Sequence, residues 1–386
     1  MRFSSRLAWD IPPNPIWRAL EERRRRGAPI LDLTQSNPTK AGFAYPDAIR
    51  RALADPGALV YEPEPAGTRR AREAIVEWYG ARGLALVPEQ ILLASGTSEA
   101  YAWLFKLLCD PGDQVLTPRP SYPLFEYLAG LESVRVATYS LRYDGHWWLD
   151  WNTLERAAVP RSRAVVIVQP NNPTGSFLAP AEIERLAAFC AQRGFVVISD
   201  EVFADYPLEA SEVPSLCAQK GAPCFVLGGL SKAVGLPQMK LSWIVVAGPE
   251  SWRAAALARL ELIADTYLSV GTPVQQALPV MLGAGRQVRD QIHARVRGNY
   301  QWLRARLSRD LGITLLRADA GWYGILRVPR VRSEEQWCLE LLERGVLVQP
   351  GYFYDFAEEA WLVVSLLAPP AELEAGIEEL TALAAG

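Results

Sequence analysis

The chain has 386 residues, half of them hydrophobic, and a formal net charge of −3. A chain of this length exceeds what one compact core usually holds, so two domains are predicted. No basic block is large enough to indicate nucleic-acid binding. The charged run Glu21–Arg26 lies in a helical pattern and is more typical of a solvated face or a subunit contact.

The N-terminus lacks the continuous apolar core of a signal peptide, and no apolar run reaches the roughly 18 residues that cross a bilayer. A cytoplasmic protein is therefore expected. The five cysteines are scattered without metal-ligand spacing and are interpreted as reduced core residues. The two histidines, His146 and His293, are far apart, so neither a histidine-based triad nor a zinc site is expected.

The first 45 residues predict a proline-rich arm (Ile11–Pro15), a helix around Trp17–Arg26 and a short strand in PILDLTQSNP. Such an arm buries little by itself, so it should pack on another domain or subunit. A loop with the exposed aromatic Tyr61 follows. The amphipathic segment RRAREAIVEWYGARG then predicts a helix that Gly83 ends.

Seven short apolar runs alternate with helical segments from Gln90 onward; they cover residues 91–94, 114–117, 134–138, 164–169, 195–199, 224–228 and 243–248. Runs this apolar are buried on both faces, and their alternation with helices predicts an α/β domain. We expect a mostly parallel seven-stranded sheet, covered by helices on both sides, over residues 46–271. The ligand site of such a sheet lies at the carboxyl ends of its strands.

After Thr272 the pattern changes to a long helix over 274–308, shorter strands and two further helices. The strands are predicted in ITLLRA, WYGILRVP, VLVQP and WLVVSLL, and the helices over 333–344 and in PAELEAGIEELTALA. We expect residues 272–386, joined by residues 1–45, to form a smaller α+β domain.

Lys232 is the first candidate for chemistry. The chain has five lysines against thirty-five arginines, and Lys232 follows the apolar run CFVL and two glycines. An amine at the end of a buried strand is desolvated, which lowers its pKa and suits it to attack a carbonyl carbon. The alternative is an ordinary surface lysine beside a turn.

Other predicted strands also end in reactive or polar residues. Ser95–Glu99 opens a helix and is either a phosphate cradle or a capping arrangement with Thr97 or Ser98 as N-cap. Tyr122, braced by prolines, could stack on a flat ring or be a core residue. The NNPTG turn would hold the Asn172 amide rigidly. Asp200 ends a buried strand and needs a partner, for which a protonated pyridine nitrogen is suited.

The motifs SGTSEA, PSYP, NNPTG, SDEVF and LSK, in this order, resemble the pyridoxal-phosphate-dependent aminotransferases of fold type I, class I/II, the aspartate aminotransferase-like superfamily. The resemblance extends from LTQSNP to the C-terminal helix. It implies pyridoxal phosphate (PLP) as cofactor and ping-pong transfer of an amino group between an amino acid or amine and a 2-oxo acid. It also implies a homodimer with shared active sites.

The resemblance further implies individual roles. Lys232 would form the internal Schiff base with PLP and later move the proton, while Asp200 pairs with the pyridine nitrogen. Asn172 would bind the ring hydroxyl, and Tyr122 would stack on the ring. The remaining implied cofactor contacts are Gly96, Thr97, Ser98, Phe203, Ser231 and Lys240, with Tyr61 of the partner subunit on the phosphate.

The sequence departs from the family at three positions. Phe203 replaces the usual tyrosine, and Lys240 replaces a phosphate-binding arginine. Val363 stands where the family has the arginine that grips the substrate carboxylate. In its place, Ser36, Asn172 and Arg327 are the candidate substrate-binding residues.

The sequence leaves three functions open beside transamination of amino acids. A PLP-dependent lyase that performs β-elimination and an amine transaminase would use the same scaffold. A non-catalytic aminotransferase-like binding domain is the third, and the intact set of Lys232, Asp200 and Asn172 argues against it. Five aromatic residues either line a pocket or fill the small domain, and core positions are expected for most of them: Trp322, Tyr323, Tyr352, Phe353 and Tyr354.

Overall fold

The structure is a computed structural model that describes residues 3–9, 14–209, 212–307, 312–358 and 360–385. The predicted proline-rich segment 11–13 and the predicted helix end at Ser308 lie outside these ranges. The strands are β1 (Leu31–Asp32), β2 (Ile91–Ala94), β3 (Gln114–Arg119), β4 (Arg135–Tyr143), β5 (Trp147–Leu149), β6 (Ser162–Val168), β7 (Val196–Asp200), β8 (Cys224–Gly229), β9 (Ser242–Ala247), β10 (Thr314–Leu315), β11 (Tyr323–Arg327), β12 (Val346–Leu347), β13 (Gln349–Pro350) and β14 (Trp361–Ser365).

The α-helices alternate with these strands through the first two thirds of the chain. They are α1 (Pro15–Arg25), α2 (Asp47–Ala52), α3 (Arg69–Gly80), α4 (Thr97–Leu108), α5 (Phe125–Leu131), α6 (Trp151–Ala157), α7 (Pro180–Arg193), α8 (Leu230–Ala233), α9 (Glu250–Tyr267), α10 (Thr272–Leu307), α11 (Glu334–Glu343) and α12 (Pro370–Ala385). None of the helices in the described ranges is both long and apolar enough to cross a membrane.

The large sheet has the strand order β2-β9-β8-β7-β6-β3-β4-β5. All seven predicted strands lie in it, which confirms the predicted α/β fold. The eighth strand, β5, is a three-residue edge strand antiparallel to β4 that the sequence analysis did not predict. Strands β8, β7, β6, β3 and β4 run parallel to one another. Their carboxyl ends therefore meet at one edge of the sheet.

The sheet is covered by helices on both faces because its strands are apolar on both faces. In β6, Val165 belongs to the core layer that contains Leu186 of α7. The next residue, Val166, points to the opposite layer, which contains Leu104 of α4. The two layers exclude water from both faces of the sheet. The polar groups at the strand ends therefore lie at the edge of the sheet rather than on one of its faces.

A smaller antiparallel sheet with the order β10-β11-β14-β13 forms from the C-terminal part of the chain. The N-terminal segment joins this part: β1 pairs in parallel with β12, with Leu31 opposite Val346. Ile16 and Leu20 of α1 are buried in the same core as Trp337 of α11. These contacts support the proposed small domain of residues 1–45 and 272–386, whose exact boundaries stay a prediction.

The loops after β3 and β6 connect the large sheet to the small one. Ala320 N donates to Gly175 O at 3.0 Å. Gly175 has φ +68°, and a Cβ there would overlap the Ala320 carbonyl oxygen, so only glycine allows the two backbones to approach this closely. This contact fixes the NNPTG turn against the segment that leads into β11.

Candidate active site

A cavity of about 260 Å³ opens at the carboxyl ends of the parallel strands. Eight of the predicted site residues line it: Ser36, Thr97, Ser98, Tyr122, Asn172, Asp200, Phe203 and Lys232. They come from six separate segments of the chain. The topology therefore brings together most of the residues that the sequence analysis singled out.

Lys232 lies in the single turn of α8, just after β8 ends at Gly229. Its Nζ is 4.7 Å from the centroid of the Trp322 ring and 5.4 Å from that of Phe203. The Tyr206 hydroxyl donates to the Lys232 carbonyl oxygen at 2.5 Å and fixes the backbone. Burial lowers the pKa of the Lys232 amine to about 8, and the Asp200 carboxylate opposes this shift. A substantial fraction of the amine is thus neutral near physiological pH.

Asp200 is buried at the end of β7 with both carboxylate oxygens in contact with donors. The Tyr101 hydroxyl donates to Oδ2 at 3.1 Å, and the Val202 amide donates to Oδ1 at 3.2 Å. Burial raises the pKa of Asp200 to about 6, whereas these two donors and Lys232 lower it. A desolvated carboxylate of this kind is stabilised by a cation placed beside it.

The Asn172 amide is fixed in place but has unmet bonding capacity. Its Oδ1 is buried and has no hydrogen-bond partner within the described residues. The turn around it is held by Asn171 N, which donates to Ser176 O at 2.7 Å, and by the Thr174 hydroxyl, which donates to Asn171 Oδ1 at 2.9 Å. A buried orphaned amide at the edge of a cavity is suited to a polar ligand group.

The start of α4 forms another polar part of the cavity. Its N-cap is Gly96, which has no side chain to satisfy the first amides, so the alternative of Thr97 or Ser98 as N-cap is wrong. The free amides and the helix dipole favour an anion at this position. A Cβ built on Gly96 would lie 3.5 Å from Lys240 Nζ, which places a cation beside the same turn.

Four other predicted residues, Lys240, Tyr61, Ser231 and Arg327, do not line the cavity itself. Lys240 and Tyr61 are exposed, Tyr61 by 70%, and Ser231 lies beside Lys232 in α8. The suggestion that Arg327 reaches the pocket is not supported. Arg327 is exposed at the far end of β11, about 13 Å along the strand from Tyr323, which does line the cavity.

Val363 is fully buried in the small sheet, paired with Ile325 on one side and Gln349 on the other. Among the described residues that line the cavity, Lys232 is the only cation, and no arginine is present. The aromatic residues divide as follows: Trp322 and Tyr354 are core residues, Tyr323 lines the cavity, and Tyr352 and Phe353 line a neighbouring one.

Sequence reasoning did not assign roles to Tyr101 and Tyr206, and it named Trp322 only among the aromatic residues that either line a pocket or fill the core. Tyr101 follows Thr97 by one helical turn, so its position on the same face of α4 could have been inferred. Its contact with Asp200 joins residues 99 positions apart and had no signal in the sequence. The same holds for Tyr206 and Trp322, which pack on each other and on Lys232.

Residues 28–380 match the family model described as aminotransferase class I and II. The chain belongs to this family. Family members use PLP, and the prediction of a PLP-dependent aminotransferase is confirmed. The aminotransferase is 28% identical over 295 residues to the glutamate-pyruvate aminotransferase AlaA of Escherichia coli strain K12, covering 74% of this chain and 71% of the relative. It is 27% identical to an alanine aminotransferase of Mycobacterium bovis, with 95% and 88% coverage.

Solved structures show the same fold. The alanine aminotransferase of Pyrococcus furiosus superposes with a TM-score of 0.90 at 22% identity, covering all of both chains. The aspartate aminotransferase of Thermus thermophilus, as a single mutant, superposes with a TM-score of 0.85 at 24% identity, covering 99% of this chain and all of that one.

The residues of the aminotransferase site fit PLP. The buried Asp200 carboxylate can pair with a protonated ring nitrogen, and the orphaned Asn172 amide can bond to a ring substituent. The free amides of α4 beside Lys240 suit a phosphate. The partly buried amine of Lys232 lines the same cavity.

Proposed function

We propose that this aminotransferase exchanges an amino group between an amino donor and a 2-oxo acid by a ping-pong mechanism, with PLP bound at Lys232. When bound, PLP supplies an electron sink for the carbanion formed at the substrate carbon. The observation that carries the proposal is the Lys232 amine, which lines the same cavity as the Asp200 carboxylate and the Asn172 amide, whose Oδ1 has no partner within the described residues.

The chain's own residues have distinct roles in this proposal. Lys232 is the nucleophile that holds the cofactor, and its amine moves the proton at the substrate carbon because its lowered pKa lets it both accept and release one near neutral pH. Asp200, held ionised by the Tyr101 hydroxyl and the Val202 amide, keeps the ring nitrogen protonated. Asn172 orients the ring, and Tyr122 stacks on it.

The phosphate is proposed to lie at the start of α4, on the amides and hydroxyls of Gly96, Thr97 and Ser98, with Lys240 beside them. Ser231 and Phe203 complete the cofactor contacts from the segment before Lys232 and from the opposite wall. This position uses the unsatisfied donors of the helix, so the anion replaces water rather than an existing protein contact.

A homodimer in the cytoplasm is part of the same proposal. Leu59, Val60 and Tyr61 are three consecutive exposed apolar residues, with Leu59 exposed by 93%. A contiguous apolar surface of this kind is typical of a protein interface. In the proposed dimer, Tyr61 of the partner subunit would contact the phosphate.

The test is reduction of the PLP-loaded protein with borohydride followed by peptide mapping. The label is expected on Lys232, with the yellow colour of the bound cofactor lost on reduction. Lys232→Ala should bind no reducible cofactor, whereas Lys220→Ala, a change at an exposed lysine, is the matched control. A label on Lys220 or Lys240 would contradict the site.

A second candidate function, transamination of amines or β-elimination, is favoured by the neutral lining of the cavity around Ser36 and Tyr323. An α-carboxylate entering this region would lose hydration without gaining a guanidinium among the described lining residues. Turnover of glutamate and simple primary amines against pyruvate, of alanine against 2-oxoglutarate, and ammonia release from β-chloroalanine together separate the three reactions. Ammonia release without a new amino acid identifies elimination.

A further inference from the structure

A second cavity of about 190 Å³ adjoins the candidate active site. Tyr122 and Phe125 line both cavities, so the two cavities are neighbours that share these side chains. Tyr352 and Phe353 of the small domain contribute to its walls. The second cavity lies between the β3–β4 part of the large sheet and residues 352–355 of the small domain.

Ser121 supplies an unsatisfied polar group in this cavity. Ser121 lines the cavity, it is only 4% exposed, and its Oγ has no partner within the described residues. Leaving a buried hydroxyl unbonded is unfavourable, because the group has lost its hydration without gaining a partner. Its backbone is fixed because Ser121 N donates to Tyr354 O at 2.9 Å. The residue is thus held in place with a hydroxyl that no group in the described part of the chain bonds.

The charged groups of the second cavity disfavour an anionic ligand. Asp355 and Glu126 line it. Asp355 is paired with Arg119, whose Nε is 3.0 Å from Oδ2 and donates to the Asp355 carbonyl oxygen at 2.8 Å. Glu126 is exposed at the rim. Because Asp355 neutralises Arg119, the carboxylate of Glu126 is the remaining charge. It repels a ligand carboxylate and favours ligands that carry hydrogen-bond donors.

The apolar walls suit an aromatic ring. The rings of Tyr352 and Phe353 pack edge to face, with centroids 5.0 Å apart and an interplanar angle of 87°. A further ring can join such a cluster with the same geometry. The volume is sufficient, since an apolar cavity of about 150 Å³ holds benzene.

We propose that the second cavity binds the distal part of the substrate, an uncharged aromatic ring with a hydrogen-bond donor, and that Ser121 Oγ accepts that bond. The preferred substrates are then aromatic amino compounds such as phenols carrying an aminoalkyl chain, with Ser121 as a specificity-determining residue. The inference rests on the proposed function for the position of the reacting amine beside Lys232.

The test measures binding without turnover. Tertiary amines form no Schiff base, so N,N-dimethyltyramine and N,N-dimethylphenethylamine are titrated into the purified PLP-loaded protein by calorimetry. The phenol should bind more tightly than the phenyl analogue. Ser121→Ala should weaken binding of the phenol roughly three- to tenfold, which corresponds to one hydrogen bond, and leave the phenyl analogue unchanged.

Two further variants test the location. Thr138→Phe fills the cavity from an exposed position of the same wall and should weaken binding of both ligands. Ser251→Ala, at an exposed position of α9, should change neither. The proposal is overturned if the parent does not distinguish the ligands, if Ser121→Ala does not alter phenol binding, or if Thr138→Phe affects neither ligand. A failure of the proposed function would instead appear as absence of borohydride-stable cofactor on Lys232.

Discussion

The lowered pKa of Lys232 makes a quantitative prediction for the cofactor-free protein. Burial takes the pKa from 10.5 to about 8, equivalent to about 3 kcal/mol against the ammonium form. At pH 7 about a tenth of the amine is then neutral, against roughly one in 3,000 for an unperturbed lysine, a gain of roughly 300-fold in reactive amine. Reactivity should rise with pH and reach its half-maximum near pH 8.

Competitive acetylation with acetic anhydride measures this midpoint directly. Acetyl incorporation at Lys232 is quantified by mass spectrometry between pH 6 and 10, with the exposed Lys220 as internal reference. Asp200→Asn removes the carboxylate that opposes the shift, so the midpoint of Lys232 should move below that of the parent. A parent midpoint near 10, or an upward shift in Asp200→Asn, would refute the desolvated site and its coupling to Asp200.

Three further predictions concern the departures from the family. Phe203→Tyr adds a phenol beside Lys232 and should shift the pKa at which the absorbance of the bound cofactor changes; an unchanged titration would place Phe203 away from the ring oxygen. Lys240→Ala should release cofactor faster on dialysis. Because Lys240 is exposed, the loss of binding free energy should be smaller than the roughly 1.5–3 kcal/mol of a buried charge-assisted bond. Equal retention of cofactor by the variant and the parent would show that Lys240 does not contact the phosphate. The α-amino acids alanine and glutamate should show high KM, equal in the parent and in Arg327→Ala, and Val363→Arg should lower it if the variant folds; efficient turnover by the parent would reveal another partner for the carboxylate.

Secondary structure and the main candidate residues could be predicted from the sequence because the relevant signals are local. Continuous apolar runs gave the seven strands, and alternation with helices gave a parallel sheet. Since parallel strands end at one edge, Asn172, Asp200 and Lys232 could be expected together without knowledge of the strand order. The short strand β5 was missed because three residues carry too little pattern.

Contacts between distant segments could not be predicted in this way. The Tyr101 hydroxyl reaches Asp200 only because α4 packs over the end of β7, and Trp322 covers the Lys232 amine only because the small sheet docks on the large one. The exposure of Arg327 depends on which end of β11 faces the cleft.

The sequence by itself determined the fold class, the family and the residues that carry reactive groups, because hydrophobic periodicity and strand-end motifs are properties of short segments. Only the tertiary structure decided the surroundings of those groups. It reduced the access of water to Lys232 and Asp200, left Asn172 Oδ1 and Ser121 Oγ without hydrogen-bond partners among the described residues, and placed Arg327 outside the cavity. Desolvation and unmet hydrogen bonds depend on which distant segments come into contact, and those contacts exist only once the two sheets have packed together.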